Sequence, residues 1–493
     1  MLLVPGSYGL VVRGGGAVTA CRACSRAQPP VLTLSALPQQ RRARPAAQRA
    51  ESTRGANSFG RAFSAIALAL MLIVPPLPSM STPAMAEPAA AAKPAAASRR
   101  YINLTGFPFP LGPFTERRTV QSELVPGKVY GFEQEQQLSG ITANVRSVVF
   151  RMKDNHLLVY NPVAPTEEFM QQLASLNHDG VSHIMLGATA YEHKIFVGPF
   201  ARKFPEAKVW AVPDQWSFPL NLPAAAYGID SQGTGGGELV DTATGSTAYA
   251  SAPDLTAEFE VKLLHPAKRL GLGYAANEAA LLHKETKTLA LTDALVNVPA
   301  TPPEIYDPSN LLAVGDNGRD TNSLGNIILK AAGAVNWRGT ARADTEALWA
   351  ASDTSPQQQL AAQSQQQLQR GWERNTLLSL YFGPSPASLV DPDASFQGLK
   401  GKWVVAPVTD SLIYRSDRVK PELARWVEDV AKWEFNTIAP AHFAAGPGTA
   451  AELKAAFAPT LQPEPRAERA PYDAKDVKLL DDIAEQLVKL KVI

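Results

Sequence analysis

From Tyr101 onward the hydrophobic positions fall in short runs whose period switches between two and about 3.6, the mark of strands alternating with helices. Val148, Val149 and Phe150 form one apolar run, Lys153-Asp-Asn155 a polar turn, and Leu157-Leu-Val-Tyr160 the return. Together they predict a β-hairpin over 146–160. Thr166 then stands as a helix N-cap, with Glu167 and Glu168 in the first turn, where they favour the helix dipole. Phe169, Leu173 and Leu176 recur at i, i+4 and i+7 and give that helix a buried face. Further strands are predicted over 183–186, 209–212, 403–408 and 437–439, with a short helix around 196–204. A second hairpin pairs 279–283 with 288–292 across Lys284-Glu-Thr-Lys287. A helix from about Glu422 to Trp433 precedes the last strand. Val477, Leu480, Ile483, Ala484 and Leu487 share one face of a C-terminal helix, whose mixed acidic and basic polar face predicts docking on the domain rather than on a membrane. This alternation argues for a layered α/β domain.

Four stretches break the pattern. Phe107-Pro-Phe-Pro-Leu-Gly-Pro-Phe114 cannot be helical, because its prolines lack amide donors and restrict their neighbours, and it predicts an aromatic arm. Residues 87–100 form an Ala/Pro-rich linker. Two segments, near 228–251 (Gly, Ser and Thr) and 341–369 (Ala and Gln), read as insertions without a strand pattern, the second as a surface helix. The expected organisation is therefore a leader over 1–86, the linker, a domain over 101–461, and a tail over 462–493 carrying the amphipathic helix.

The leader is set apart by composition. Residues 1–86 hold nine Arg, no Lys and a single acid, Glu51. An acid-free, Arg-rich start is that of an organelle transit peptide. An apolar core from Phe63 to Val74 and the small residues Ala84 and Ala86 before Glu87 add a signal-peptide-like segment. The two in that order resemble a bipartite thylakoid-lumen presequence, and a single mitochondrial or stromal presequence is the alternative. Without the leader the net charge falls from +1 to −7, which disfavours nucleic acid as a partner. Both cysteines, Cys21 and Cys24, lie in the leader, so the remainder has neither disulfide nor thiol nucleophile. With 45% hydrophobic and 19% charged residues, and no apolar run of about 18 residues, the chain reads as globular without a transmembrane segment.

The candidate chemistry lies at strand ends. Ser182-His-Ile-Met-Leu-Gly-Ala-Thr-Ala-Tyr-Glu-His193, Leu291-Thr-Asp293 and Ile438-Ala-Pro-Ala-His442 are each an apolar strand followed by groups able to bind a metal. This layout resembles the metallo-β-lactamase superfamily, whose first signature, Thr-His-x-His-x-Asp-His, falls on Gly187 to His193. The resemblance implies an αββα sandwich, two mixed sheets between helices, with the ligands along one edge. Ala188 and Ala190 stand where two histidines would, and the middle loop near Gly271-Leu-Gly-Tyr274 offers no histidine, so the first of the family's two metal sites is lost. The second implies Glu192, His193, Asp293 and His442 as ligands. Two imidazoles and up to two carboxylates suit one zinc, iron or manganese ion, and water on that ion would be the nucleophile of a hydrolase. Taken singly, each residue also fits a structural role: His193 and Asp293 as caps, His442 as a packed imidazole. His265 and His283 lie off the motif, and no catalytic residue is assigned. No nucleophile elbow, phosphate loop or dinucleotide fingerprint occurs in a strand-to-helix context.

Phe132-Glu-Gln-Glu-Gln, Val159-Tyr-Asn-Pro-Val-Ala-Pro-Thr-Glu-Glu, Tyr191-Glu-His-Lys-Ile-Phe-Val-Gly-Pro-Phe, Gln215-Trp-Ser-Phe-Pro-Leu-Asn-Leu-Pro and Gly371-Trp-Glu-Arg narrow the resemblance to a plastid and cyanobacterial branch known as a domain of unknown function. It covers about residues 101–460 and implies a photosynthetic setting, but no substrate. Two functions are compatible with it: a mononuclear metal-dependent hydrolase of a small molecule, or a pseudoenzyme acting as a binding or assembly factor on a lumenal protein partner.

Overall fold

Two β-sheets lie face to face at the centre of the molecule. The computed structural model describes residues 97–102, 111–138, 141–215, 223–230, 233–244, 246–315, 356–463 and 471–490. The leader, most of the linker and residues 107–110 of the aromatic arm lie outside them. The first sheet starts as an antiparallel meander of β1 (Val120–Val125), β2 (Val129–Leu138), β3 (Ile141–Arg151) and β4 (Leu157–Tyr160). Helix α1 (Glu167–Ala174) then carries the chain to β5 (Val181–Leu186), parallel to β4. Two short helices, α2 (Tyr191–Lys194) and α3 (Val197–Ala201), lead to β6 (Lys208–Ala211), and β7 (Gly237–Glu238) completes the sheet in parallel. Helix α4 (Pro253–Glu258) opens the second half, which continues through β8 (Phe259–Leu264), β9 (Glu278–His283) and β10 (Thr288–Ala290). A separate two-stranded ribbon follows, β11 (Val296–Asn297) with β12 (Trp403–Val404), flanked by α5 (Pro308–Gly315) and α6 (Pro356–Tyr381). Helix α7 (Lys420–Val430) precedes β13 (Thr437–Ala439) and β14 (Gly446–Pro447), and α8 (Ala450–Leu461) and α9 (Ala474–Lys489) end the chain. The second sheet runs β14-β13-β10-β9-β8, with β10 and β13 parallel and the other pairs antiparallel.

Strand periodicity distributes the apolar side chains of the two large sheets over three cores. Val148, Phe150, Leu158 and Tyr160 point between the sheets, where they join Val261, Leu281, Ala290 and Ala439. Their neighbours Val149, Leu157 and Val159 point outward and are covered by Phe169 and Leu173 of α1 and Phe200 of α3. On the far side, Leu282, Leu289 and Ile438 pack beneath Trp426 and Val427 of α7 and Phe457 of α8. Helices cover both outer faces, so the architecture is an αββα sandwich of two mixed sheets. Burial on both faces explains why β4 reads as an unbroken apolar run. Thr166 caps α1 as its sequence suggests, accepting the amide of Phe169 at 3.1 Å.

Several elements depart from expectation for local reasons. The strand expected over 403–408 stops at Val404, because Pro407 brings no amide to a ladder and instead starts a helical turn. The helix expected around 196–204 is the shorter α3, with Pro199 tolerated in its first turn, and a further helical turn, α2, precedes it. The 228–251 segment does contribute a strand, the two-residue β7. The surface helix expected within 341–369 is instead the leading part of α6, whose later residues Trp372, Arg374, Leu377 and Tyr381 are buried. Helix α9 docks through Val477, Leu480 and Ala484. Among the described residues no helix is long and apolar enough to cross a membrane.

One core residue makes the fold acid-sensitive. His283 ends β9 fully buried, its ring stacked on Phe259 and edge-on to Phe150, and its Nε2 meets no partner among the described residues. Burial pulls its pKa down to about 4; Glu285 opposes this, and Lys128 and Lys153 add to it. The unfolded chain takes up this proton near pH 6.5, whereas the folded chain resists until about pH 4. The unfolded state therefore binds more protons in that window, so stability is full above it and declines as pH falls through it. His183, also buried, shifts the same way. The loss from His283 between pH 7 and 5 is expected to be about 2 kcal/mol. Urea unfolding at both values should show a smaller drop for His283→Leu than for the parent, and equal drops would exclude this residue as the cause.

Candidate metal centre

The three candidate strand ends are fastened together by backbone contacts. Asn161, at φ +50°, leaves β4 and bridges two of them. Its Oδ1 accepts the Gly187 amide at 2.8 Å, and its Nδ2 donates to Thr292 Oγ1 at 3.0 Å. Gly187 must lack a side chain, since a Cβ there would lie 1.9 Å from the Tyr160 hydroxyl. That hydroxyl donates to the Ala279 carbonyl at 2.8 Å, and the Ala279 amide donates to the Gly187 carbonyl at 2.8 Å, which joins the two sheets. The loop after β5 then enters α2, which carries Glu192 and His193.

Asp293 follows β10 and is positioned by a buried carboxylate. Glu278 Oε1 accepts the amides of Thr292 at 2.8 Å and Ala294 at 3.1 Å, and its Oε2 accepts that of Asp293 at 3.2 Å. The His442 loop is held by β2 and β3. His442 Nδ1 donates to the Asn144 carbonyl at 2.7 Å, and the Asn144 side chain pairs with both backbone groups of Phe443. Arg146, 3% exposed, binds Glu133 at 2.6 Å and donates to the carbonyls of Pro440 and Phe443.

Glu192, His193, Asp293 and His442 each offer one ligand atom, and all four atoms lie within 4.8 Å of one another. The expected ligand set therefore does converge. His193 Nε2 and His442 Nε2 both stand 3.2 Å from Asp293 Oδ1. Ligands about 2.0–2.1 Å from a tetrahedral zinc are about 3.3 Å apart, so these separations match the edge of such a shell. With Nδ1–H given to Asn144, His442 turns its Nε2 towards the carboxylate, where it donates to Asp293 as an imidazolium or, as a neutral ring, offers a lone pair to a cation. His193 differs, because its buried Nδ1 has no partner among the described residues.

Burial alone would raise the Asp293 carboxyl, but the charges and hydrogen bonds of His193 and His442 hold it far below the ordinary range. For His442, burial pulls down while Asp293 and then Glu192 pull up, and the upward pull wins. Burial and the charge of Asp293 push Glu278 up, against its three amide donors.

A cavity of 490 Å³ opens onto the cluster. Glu192, Glu278, Asp293 and His442 share its wall with Leu111, Ile141, Val296, Leu380, Val408 and Ile413, while His193 lies behind. Ala188, Ala190 and Tyr274, from the two segments expected to lack the first site's histidines, also line it. His265 pairs instead with Asp214 at 3.0 Å. His283 groups with Glu258 and Glu285 at the opposite end of β9 from Glu278, where the Lys153 amide binds Glu258 and Lys128 binds Glu285 at 2.8 Å. Sequence reasoning missed Glu278, Asn144 and Arg146. Only Glu278 left a signal, as a lone charge opening an otherwise apolar strand.

Comparison with solved structures finds slight likenesses. The Flv1 flavodiiron core from Synechocystis sp. PCC6803 matches at 9% identity and a TM-score of 0.34, over 70% of this chain and 61% of its own length. The flavodiiron protein from Giardia intestinalis matches at 12% identity and 0.32, over 70% of this chain and 59% of its own. A metallo-β-lactamase from Pontibacter korlensis matches at 13% identity and 0.25, over 40% of this chain and 83% of its own. The chain thus spans about six tenths of the length of the two flavodiiron proteins. No curated protein matches the sequence. The model of one family does match, over residues 126–392 and 389–458, across both sheets of the sandwich and all four candidate ligands. On that match the chain belongs to the family described as Domain of unknown function (DUF4336).

Proposed function

We propose that this protein is a mononuclear metal-dependent hydrolase whose metal ligands are Glu192, His193, Asp293 and His442. The observation that carries the proposal is the convergence of two imidazole nitrogens on one carboxylate oxygen, in the wall of a cavity large enough for a small molecule. The donor set suits zinc, iron or manganese. A divalent ion held there supplies Lewis acidity, polarising a substrate carbonyl or phosphoryl oxygen and lowering the pKa of water. The protein's own part is mainly positional. Glu278 fixes the backbone of Asp293, and the Asn144 carbonyl orients the His442 ring. Burial, with nearby acids, raises the Tyr414 hydroxyl above its usual pKa, so it stays protonated in the cavity wall as a donor to a developing oxyanion.

The test is a hydrolysis screen of the purified protein loaded with zinc, iron or manganese, run over carboxylic esters, thioesters, amides and phosphoesters. The expected result is turnover of at least one class, abolished by a chelator and lowered by about 100-fold or more in His442→Ala. Turnover that survives both, or no turnover of any class, would sink the proposal.

A further inference from the structure

We infer that the cavity takes an uncharged alkyl-chain compound that carries a hydrogen-bond donor, a hydroxyl or an amide N–H. The inference builds on the proposed hydrolase for the fate of that compound, but not for its binding. Three features of the wall carry it.

The first is charge. Among the described residues the lining contains no lysine or arginine, yet it includes Glu192, Glu278 and Asp293. A phosphate or carboxylate would meet these acids with no guanidinium or ammonium to hold it. A divalent ion would not reverse this, because Glu192 and Asp293 already balance its charge. A cationic ligand fares no better. Asp293 is engaged by both imidazoles, Glu278 spends its oxygens on three backbone amides, and Glu192 belongs to the cluster whose four ligand atoms lie within 4.8 Å of one another.

The second feature is the apolar surface. Leu111, Ile141, Val296, Leu380, Val408 and Ile413 come from five separate segments and face one space. Burying a hydrocarbon chain against them is favourable in proportion to the area removed from water.

The third is Asn277, which is 2% exposed and also lines the cavity. Its Nδ2 donates to the Pro213 carbonyl at 2.8 Å, while its Oδ1 accepts no hydrogen bond among the described residues. A buried amide oxygen left without a donor is costly, and a hydroxyl or N–H on the ligand would satisfy it. Charge excludes ionic ligands, the side walls select a chain, and Asn277 selects the donor.

The experiment uses the purified protein with the uncharged fluorophore N-phenylnaphthylamine, displaced by decanol, decyl methyl ether, decyl phosphate or decylammonium. Decanol should displace the probe saturably. The ether, which lacks a donor, should bind about 10-fold more weakly, the worth of one hydrogen bond to a buried acceptor. Both ions should also bind at least about 10-fold more weakly than decanol. Ala143→Trp, on a half-buried wall position of β3, should cut decanol affinity by about 10-fold or more by filling the space. Asn277→Leu should erase the difference between alcohol and ether. Repeating the titration on the parent after treatment with a chelator should leave decanol affinity within about 3-fold. Saturable decanol binding in a protein that takes up no metal would therefore overturn the hydrolase while supporting this inference. Equal binding of either ion and decanol, unchanged affinity in Ala143→Trp, or an alcohol preference that persists in Asn277→Leu would overturn the inference itself.

Discussion

Replacing Asp293 with alanine is expected to lower zinc affinity by more than about 100-fold while the fold remains intact. The expectation follows from where its Oδ1 sits, 3.2 Å from both His193 Nε2 and His442 Nε2. Loss of a residue that merely supports a ligand costs about 10- to 100-fold in metal affinity, and loss of a ligand costs more. The fold should tolerate the change, because Glu278 grips the backbone of this loop and not the Asp293 side chain. Glu278→Gln makes the complementary test. It keeps the shape, exchanges one acceptor oxygen for a donor, and should weaken zinc less than Asp293→Ala does. Calorimetric titration with zinc measures both. Parent-like affinity in Asp293→Ala would remove this residue from the site.

Arg146→Ala should be the most damaging single change away from the cluster, destabilising the protein by about 3–5 kcal/mol. Arg146 is 3% exposed, and its guanidinium neutralises Glu133, itself 12% exposed. It also serves two carbonyls of the loop that carries His442. Truncation leaves a nearly buried carboxylate facing only the Asn144 amide, and leaves the Pro440 carbonyl without that donor. Most domains have about 5–15 kcal/mol of stability, so a large part of the reserve is at stake. Exchanging the pair for apolar residues, Arg146→Met with Glu133→Leu, should recover part of the loss, because no charge is then stranded. Urea unfolding midpoints separate these cases, and a loss under about 1 kcal/mol for Arg146→Ala would contradict the buried-clamp account.

Much of the sandwich is legible along the chain where burial and turn chemistry agree. The 146–160 hairpin, the Thr166-capped helix and the strand over 437–439 have apolar runs bounded by residues that end them. Strand β2 hides because its middle, Glu133 to Gln137, is wholly polar. It is a buried strand nonetheless, since Gln134 reaches the Ala164 carbonyl and Gln136 the Glu192 carbonyl, contacts that no local pattern encodes. Helix α6 is legible only over its exposed leading part, and its buried continuation is not. Its Gln-rich start signals solvent, and the buried Arg374 that follows is satisfied by carbonyls of Leu389 and Gly315.

For the site, the resemblance of three strand ends to a family motif was what nominated the four ligands. Whether they meet depends on β5, β10 and β13 ending at one edge, which is a property of sheet order and not of spacing. The supporting residues stayed hidden for the same reason. Asn144 and His442 are 298 positions apart, and their contact exists only once the two sheets are stacked.

Metal content measured by mass spectrometry on the purified protein tests the central claim most directly, with His193→Ala and His442→Ala as controls. The account predicts about one zinc, iron or manganese ion per chain in the parent, and less than about a tenth of that in either variant, with circular dichroism unchanged. A folded parent that carries no metal and takes up none of the three on addition would contradict it.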